Sequence, residues 1–196
     1  DPALSMVATD SITVAAPYNV GPLHVVQDRS AVATNRNWVV AFGADDGVAG
    51  SLTYALYFDV NQKENVGGGS DPRNKPITFD PLFLPDYVIY LERTDDAITN
   101  AFFYEWTGGS WIGSSLSGLG GSYFYDAVSH AVQVVFPYST IILSNEDQFS
   151  GGVALTVYST GSASNAGPED SIPHQGATMD HPALFSNMPV PLFPFD

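Results

Sequence analysis

The sequence predicts an all-β fold: an antiparallel two-sheet β-sandwich, jelly-roll-like, with extended, ordered N- and C-terminal tails. Three observations predict it. No stretch carries apolar residues at i, i+3, i+4 and i+7 over three turns, so amphipathic helices are not expected. Short runs rich in Val, Ile, Tyr and Phe recur along the chain instead. Glycine- and aspartate-rich turn chemistry separates them at Asp45-Asp46-Gly47, Gly67-Gly68-Gly69, Thr107-Gly108-Gly109 and Gly118–Gly121. Many short strands at such spacing pack as two sheets.

The predicted strands are Ser11–Ala15, Leu23–Gln27, Asn37–Ala44, Leu52–Asp59, Asp86–Arg93, Ala101–Trp106, Ser122–Tyr125, Ala131–Phe136 and Val153–Ser159. Within Leu52–Asp59, one face carries Tyr54, Leu56 and Phe58. In Tyr87–Leu91 both faces are apolar, the pattern of a strand covered on both sides. Trp106 and Trp111 flank a short glycine loop and read as a hairpin. Pro137 precedes a short helical turn around Tyr138–Leu143. These boundaries give a segment 1–10 that can act as a donor strand, a sandwich over 11–160 and a Pro-rich extended tail over 161–196.

Two segments stand apart. Residues 61–84 form a long polar connection with Gly and Pro between two strong strands, and loops of this length are functional or specially held. Prolines recur from Pro168 to Pro194, which excludes an ordinary inner strand there. Yet Phe185, Leu192, Phe193 and Phe195 are too apolar for a solvated linker and need a surface to cover, on this molecule or on a neighbour.

Composition narrows the function classes. With 6 Lys and Arg against 21 Asp and Glu, the net charge is −15. Nucleic-acid binding needs clustered cations, and an anionic membrane surface is disfavoured for the same reason. No apolar run approaches the roughly 20 residues of a membrane span. The chain has no Cys, which removes disulfides, thiolate metal sites and cysteine nucleophiles. Its start at Asp1 suggests a mature secreted product or an excised domain.

Acidic excess suits calcium, which takes oxygen ligands, including the carbonyls of glycine-rich loops. Asp59, Asn61 and Glu64, with Asp71 across the glycine loop, set oxygen donors around one strand end, and Asp45 and Asp46 form a second candidate. The plain alternative is a set of polar turns that cap strands. The four histidines, His24, His130, His174 and His181, are scattered and carry no zinc-binding spacing. No G-x-S-x-G, P-loop or H-E-x-x-H is present, and no carboxylate pair is singled out for glycosidase chemistry. No enzyme is expected. Tyr104, Trp106, Trp111 and Tyr123 cluster in sequence around the hairpin. Flat rings of this kind stack on sugar faces, or else simply fill a core.

The middle of the chain resembles a known family. Tyr54–Gln62, Gly67–Pro72, Pro85–Glu92, Phe103–Trp106 and Trp111 follow the order found in DOMON-like modules, which are similar to family 9 carbohydrate-binding modules and occur beside secreted amylases and pullulanases. Tyr125-Asp126, Val132, Pro137 and Ile141 match a later stretch of that family, and Asp170–Pro173 resembles its closing D-x-x-P. The resemblance covers roughly residues 8–173. It implies a two-sheet sandwich, an extracellular location, often calcium as cofactor and often a polysaccharide ligand such as an α-glucan.

Two functions follow as expectations. One is a self-assembling extracellular homo-oligomer or homopolymer, a filament subunit joined by strand or tail exchange. Leu4 and Met6 of the alternating Ala3–Ala8 segment would enter a neighbour's sheet, and Phe185, Leu192, Phe193 and Phe195 would drape over it. The other is a carbohydrate-binding module.

Overall fold

The computed structural model describes residues 4–8, 23–28, 37–44, 50–60, 63–141, 153–163, 165–172, 178–179 and 183–185. Two antiparallel sheets stack on each other. The five-stranded sheet runs in the order β1 (Leu4–Ala8), β2 (Leu23–Asp28), β3 (Asn37–Gly43), β10 (Ala131–Pro137), β9 (Ser122–Asp126). The seven-stranded sheet runs β12 (Pro168–Ile172), β11 (Val153–Gly161), β4 (Ser51–Asp59), β6 (Tyr87–Thr94), β7 (Ala97–Trp106), β8 (Trp111–Ser115), with β14 (Ala183–Phe185) also on β11. Two short strands, β5 (Thr78–Phe79) and β13 (Thr178–Met179), pair in parallel apart from these sheets.

The predicted alternation sets the inner faces. Leu52, Tyr54, Leu56 and Phe58 from β4 meet Trp38, Val40 and Phe42 from β3 and Val132, Val134 and Phe136 from β10 in one buried core. Aromatic contacts join the sheets edge to face: Phe42 with Tyr54 at 5.3 Å, and Phe58 with Phe136 at 6.0 Å between ring centroids. The β4 and β6 strands are buried on both faces, as the continuous apolar run of Tyr87–Leu91 requires.

The predicted Trp106–Trp111 hairpin joins β7 to β8, with the two Trp directly opposite each other. Pro137 is followed by a single 3-10 turn over Tyr138–Thr140. The sandwich extends beyond residues 11–160 at both ends, since Leu4–Ala8 and Pro168–Ile172 are strands of the two sheets. Pro168 opens β12 at a sheet edge, where a missing N–H removes no ladder bond. Ser11–Ala15, Leu192, Phe193 and Phe195 lie outside the described residues.

Arg93 fastens the sheets at one end of the core. This buried cation donates to the Tyr54 hydroxyl at 2.9 Å and to the Asp95 carbonyl at 2.5 Å. Its guanidinium also lies 4.2 Å from the ring centre of Tyr125 in the opposite sheet. Arg93→Met keeps the stem and removes the fork. It is expected to lower stability by about 2–3 kcal/mol, read as a fall in urea midpoint at an unchanged slope.

Candidate functional site

The outer face of the seven-stranded sheet cannot stand in water. Its central rows carry Ala55 and Tyr57 from β4, Val88 and Tyr90 from β6, and Tyr158 from β11, all buried. The cover is the long connection between β4 and β6. From it, Ile77, Phe79, Phe83 and Leu84 pack on these rows, with Phe102, Tyr104 and Trp111 at the margin. Residues 63–84 are therefore a lid over a second, smaller core, and their length reflects the area covered.

The lid is held by a buried carboxylate. Both oxygens of Asp71 accept from two donors each. Oδ2 takes the hydroxyls of Tyr57, at 2.6 Å, and Tyr90. Oδ1 takes the backbone N–H groups of Arg73 and Lys75, both at 2.8 Å. A charge removed from water persists only when it is bonded in this way. Burial, then the neighbouring hydroxyl and carboxylate, pushes the Tyr57 phenol well above its ordinary range; Tyr90 is raised by burial and then by the Asp71 carboxylate, against a smaller lowering by the Tyr57 hydroxyl and Arg73.

Two cations extend the arrangement. Arg73 lies 4.4 Å from the Tyr90 ring centre and 4.6 Å from that of Phe102, donates to the Tyr104 hydroxyl at 3.1 Å, and pairs with Glu92 at 2.7 Å. Lys75 is buried and donates to the carbonyls of Gly161 and Ala163 at 2.7 and 2.6 Å, tying the lid to the turn after β11. Burial lowers the Lys75 ammonium from its usual range. At the other margin the Trp111 indole donates to the Ser70 carbonyl at 2.7 Å. Its ring lies so close to Gly68 that a Cβ there would fall 2.1 Å from it, so only glycine fits.

This geometry distributes the sequence-derived candidates differently from the expectation. Of the calcium set, Asp71 has its oxygens filled by the four donors above, Asp59 is buried at the end of β4, and Glu64 is exposed on the lid. Asn61, Asp45 and Asp46 lie outside the described residues. Among the described residues, no three His, Asp or Glu converge on a cation position. The described members thus do not fit a calcium ion together, and the role found for Asp71 is that of an anchor.

The aromatic set also divides. Tyr104, Trp106 and Trp111 lie on the lid side of β7 and β8, where Trp106 and Trp111 meet edge to face at 5.4 Å. Tyr123 belongs to the other sheet, in the row of Val134, and packs on the main core. All four are half-buried, three on the lid side of the seven-stranded sheet and Tyr123 against the main core. On the assembly side, Phe185 ends β14, opposite Val153 of β11.

Sequence reasoning missed Tyr57, Tyr90, Arg73, Lys75 and Glu92. One signal was present: two tyrosines on the second face of doubly apolar strands imply a polar group in whatever covers them. The alternating Asp71, Arg73 and Lys75 offered that group in a chain with few cations.

No protein-family profile, curated protein or solved structure matches the chain. The likeness to DOMON-like modules therefore rests on the sequence motifs alone.

Two outcomes test the latch. Asp71→Ala removes four bonds to a charged acceptor and is expected to cost about 3–5 kcal/mol. Limited proteolysis should then cut within residues 63–84 before the sheets unfold. The tyrosines set the alkaline behaviour. Their folded-state pKa values lie above the ordinary value near 10, so their contribution is complete below that pH and is lost as pH rises through the folded values. Stability should therefore fall above about pH 10. Two phenolates should appear in the ultraviolet spectrum only with unfolding, and Tyr57→Phe should make the decline shallower.

Proposed function

We propose that this chain is a non-catalytic extracellular subunit that assembles into a surface filament or sheath by exchanging β1 between copies. The observation that supports the reading is the register of β1. Leu4, Met6 and Ala8 stand opposite Gln27, Val25 and Leu23 of β2, and Val25 and Leu23 are buried core residues. The β1 backbone thus continues the rows of Leu23 and Val25 at a sheet edge, and among the described residues it pairs with β2 alone.

The connection supports exchange as well. Antiparallel neighbours are commonly joined by two to five residues, whereas residues 9–22 separate β1 from β2. Fully extended, that stretch reaches about 45–50 Å, roughly twice the ~24 Å width of a five-stranded sheet. The strand of one copy can therefore complete the sheet of the next with the same register and the same side-chain rows. Passed head to tail, such a contact does not close on itself and builds a filament. The DOMON-like resemblance agrees with an extracellular β-sandwich.

A second reading is a carbohydrate-binding module, favoured by the half-buried Trp106 at the margin of the lid. It is the weaker reading, because the Trp111 indole N–H is held by Ser70 and Tyr123 lies in the other sheet.

Negative-stain imaging of the chain lacking residues 1–9 decides between them. Assembly predicts filaments from the full chain and only short, discrete particles from the truncated one; filaments that persist without β1 refute strand exchange. A full chain that forms no filament yet is retarded on a polysaccharide gel supports the module reading.

A further inference from the structure

The two outer faces of the sandwich are treated differently. One is sealed by the lid. The other, on the five-stranded sheet, has central rows of apolar and neutral residues. In its register Val39 stands between Val26 and Val135, and Ala41 stands between His24 and Gln133. Phe124, opposite Gln133, is 63% exposed, and Val128 in the following turn is 91% exposed. An outer sheet face in water is normally polar, and exposed apolar patches mark contact sites.

Charge identifies the occupant. The five strands of this sheet contain no cation and only two carboxylates, Asp28 and Asp126, each at a strand end. Between Thr107 and Asn145 Asp126 is the only charged residue, in a chain whose net charge is −15. Asp28 and Asp126 both lie in the outward rows, Asp28 opposite Asn37 and Asp126 opposite Ala131, so a basic partner would find only these two carboxylates, at the ends of the face. Two copies of so acidic a chain repel wherever carboxylates face each other within a Debye length of about 8 Å, and the central rows of this face, which hold none, let them approach with little of that penalty. The dimensions suffice. Five strands about 4.8 Å apart and about 20 Å long present about 500 Å² per copy, so two copies bury about 1,000 Å², the lower limit for a specific contact.

We propose that the outer face of the five-stranded sheet is an interface on which two copies of this chain pack sheet to sheet. The contact is two-fold, with the Val39 and Val135 rows of each copy against those of the other, at the ordinary sheet spacing of about 10 Å. It is separate from strand exchange. Exchange propagates a filament along its length, and this face pairs two files side by side.

The test places charge in the patch. Val39→Lys with Val135→Lys sets two lysines on adjacent strands of each copy, so four meet across the two-fold. Light scattering on the full chain should give half the wild-type mass where the wild type is a dimer. Electron microscopy should show single files where the wild type shows paired files, with a thermal midpoint within a few degrees of the wild type. Val135→Thr, which preserves strand propensity, should weaken association by several-fold and serves as the readout should the lysine pair prevent folding. An unchanged mass and width in both variants, or a wild type that is a monomer or a single file, overturns the face contact. Dimers split by the lysines without any filament support the face contact and count only against strand exchange.

Discussion

The Asp71 carboxylate is the point on which the second half of this molecule depends. The β4 and β6 strands are apolar on both faces, so the sheet that contains them needs cover on both sides. The opposite sheet provides one cover through a ladder of strands whose backbone groups satisfy one another. The lid has little regular structure of its own beyond Thr78–Phe79, and its backbone must find partners locally. One ionised side chain resolves this conflict, since its four lone-pair positions match two tyrosine hydroxyls below and two amide groups of the lid. The carboxylate in turn makes the phenols tolerable in a dry layer.

The same latch shapes the electrostatics of the surface. The chain has six cations, and three of them are turned inward: Arg73 across aromatic rings and against Glu92, Lys75 on two carbonyls, and Arg93 between the sheets. Among the described residues Glu64, Asp95, Asp96 and Glu105 are exposed. The net charge of −15 disfavours nucleic acid and anionic surfaces as partners. The strands of the five-stranded sheet hold just two carboxylates, Asp28 and Asp126.

How much of this could be read in the sequence follows from the range of each interaction. Strand alternation is a local property, so β2, β3, β4, β6, β9, β10 and β11 were legible to within a few residues, as was the Trp106–Trp111 hairpin. The edge strands were harder. Pro168–Ile172 looked like tail because proline and polar residues conceal a strand that needs only one bonded side. The site was least legible. Proximity in sequence suggested that Asp59, Glu64 and Asp71 share a cation and that Tyr104, Trp106, Trp111 and Tyr123 share a platform. Burial takes Asp59 into the sheet, while the lid carries Asp71 back over Tyr57 and Tyr90. Tyr123, only twelve positions beyond Trp111, enters the other sheet. These outcomes depend on sheet order, which short-range pattern does not encode.

Among the described residues the lid packs on the seven-stranded sheet alone, an asymmetry that bears on assembly. The outward rows of the five-stranded sheet use small or β-branched residues, Val39, Ala41 and Val135, whose exposed area is modest, and not the tyrosines of β4 and β6. Such a face is tolerable in water for a single copy, and in the proposed contact it is covered by a second one. Its edge strand β1 shares the property: five residues without a charge, in register with the core, on a long connection. Both features on which the proposed association rests therefore belong to the five-stranded sheet, whereas the lidded sheet carries the buried ionic network.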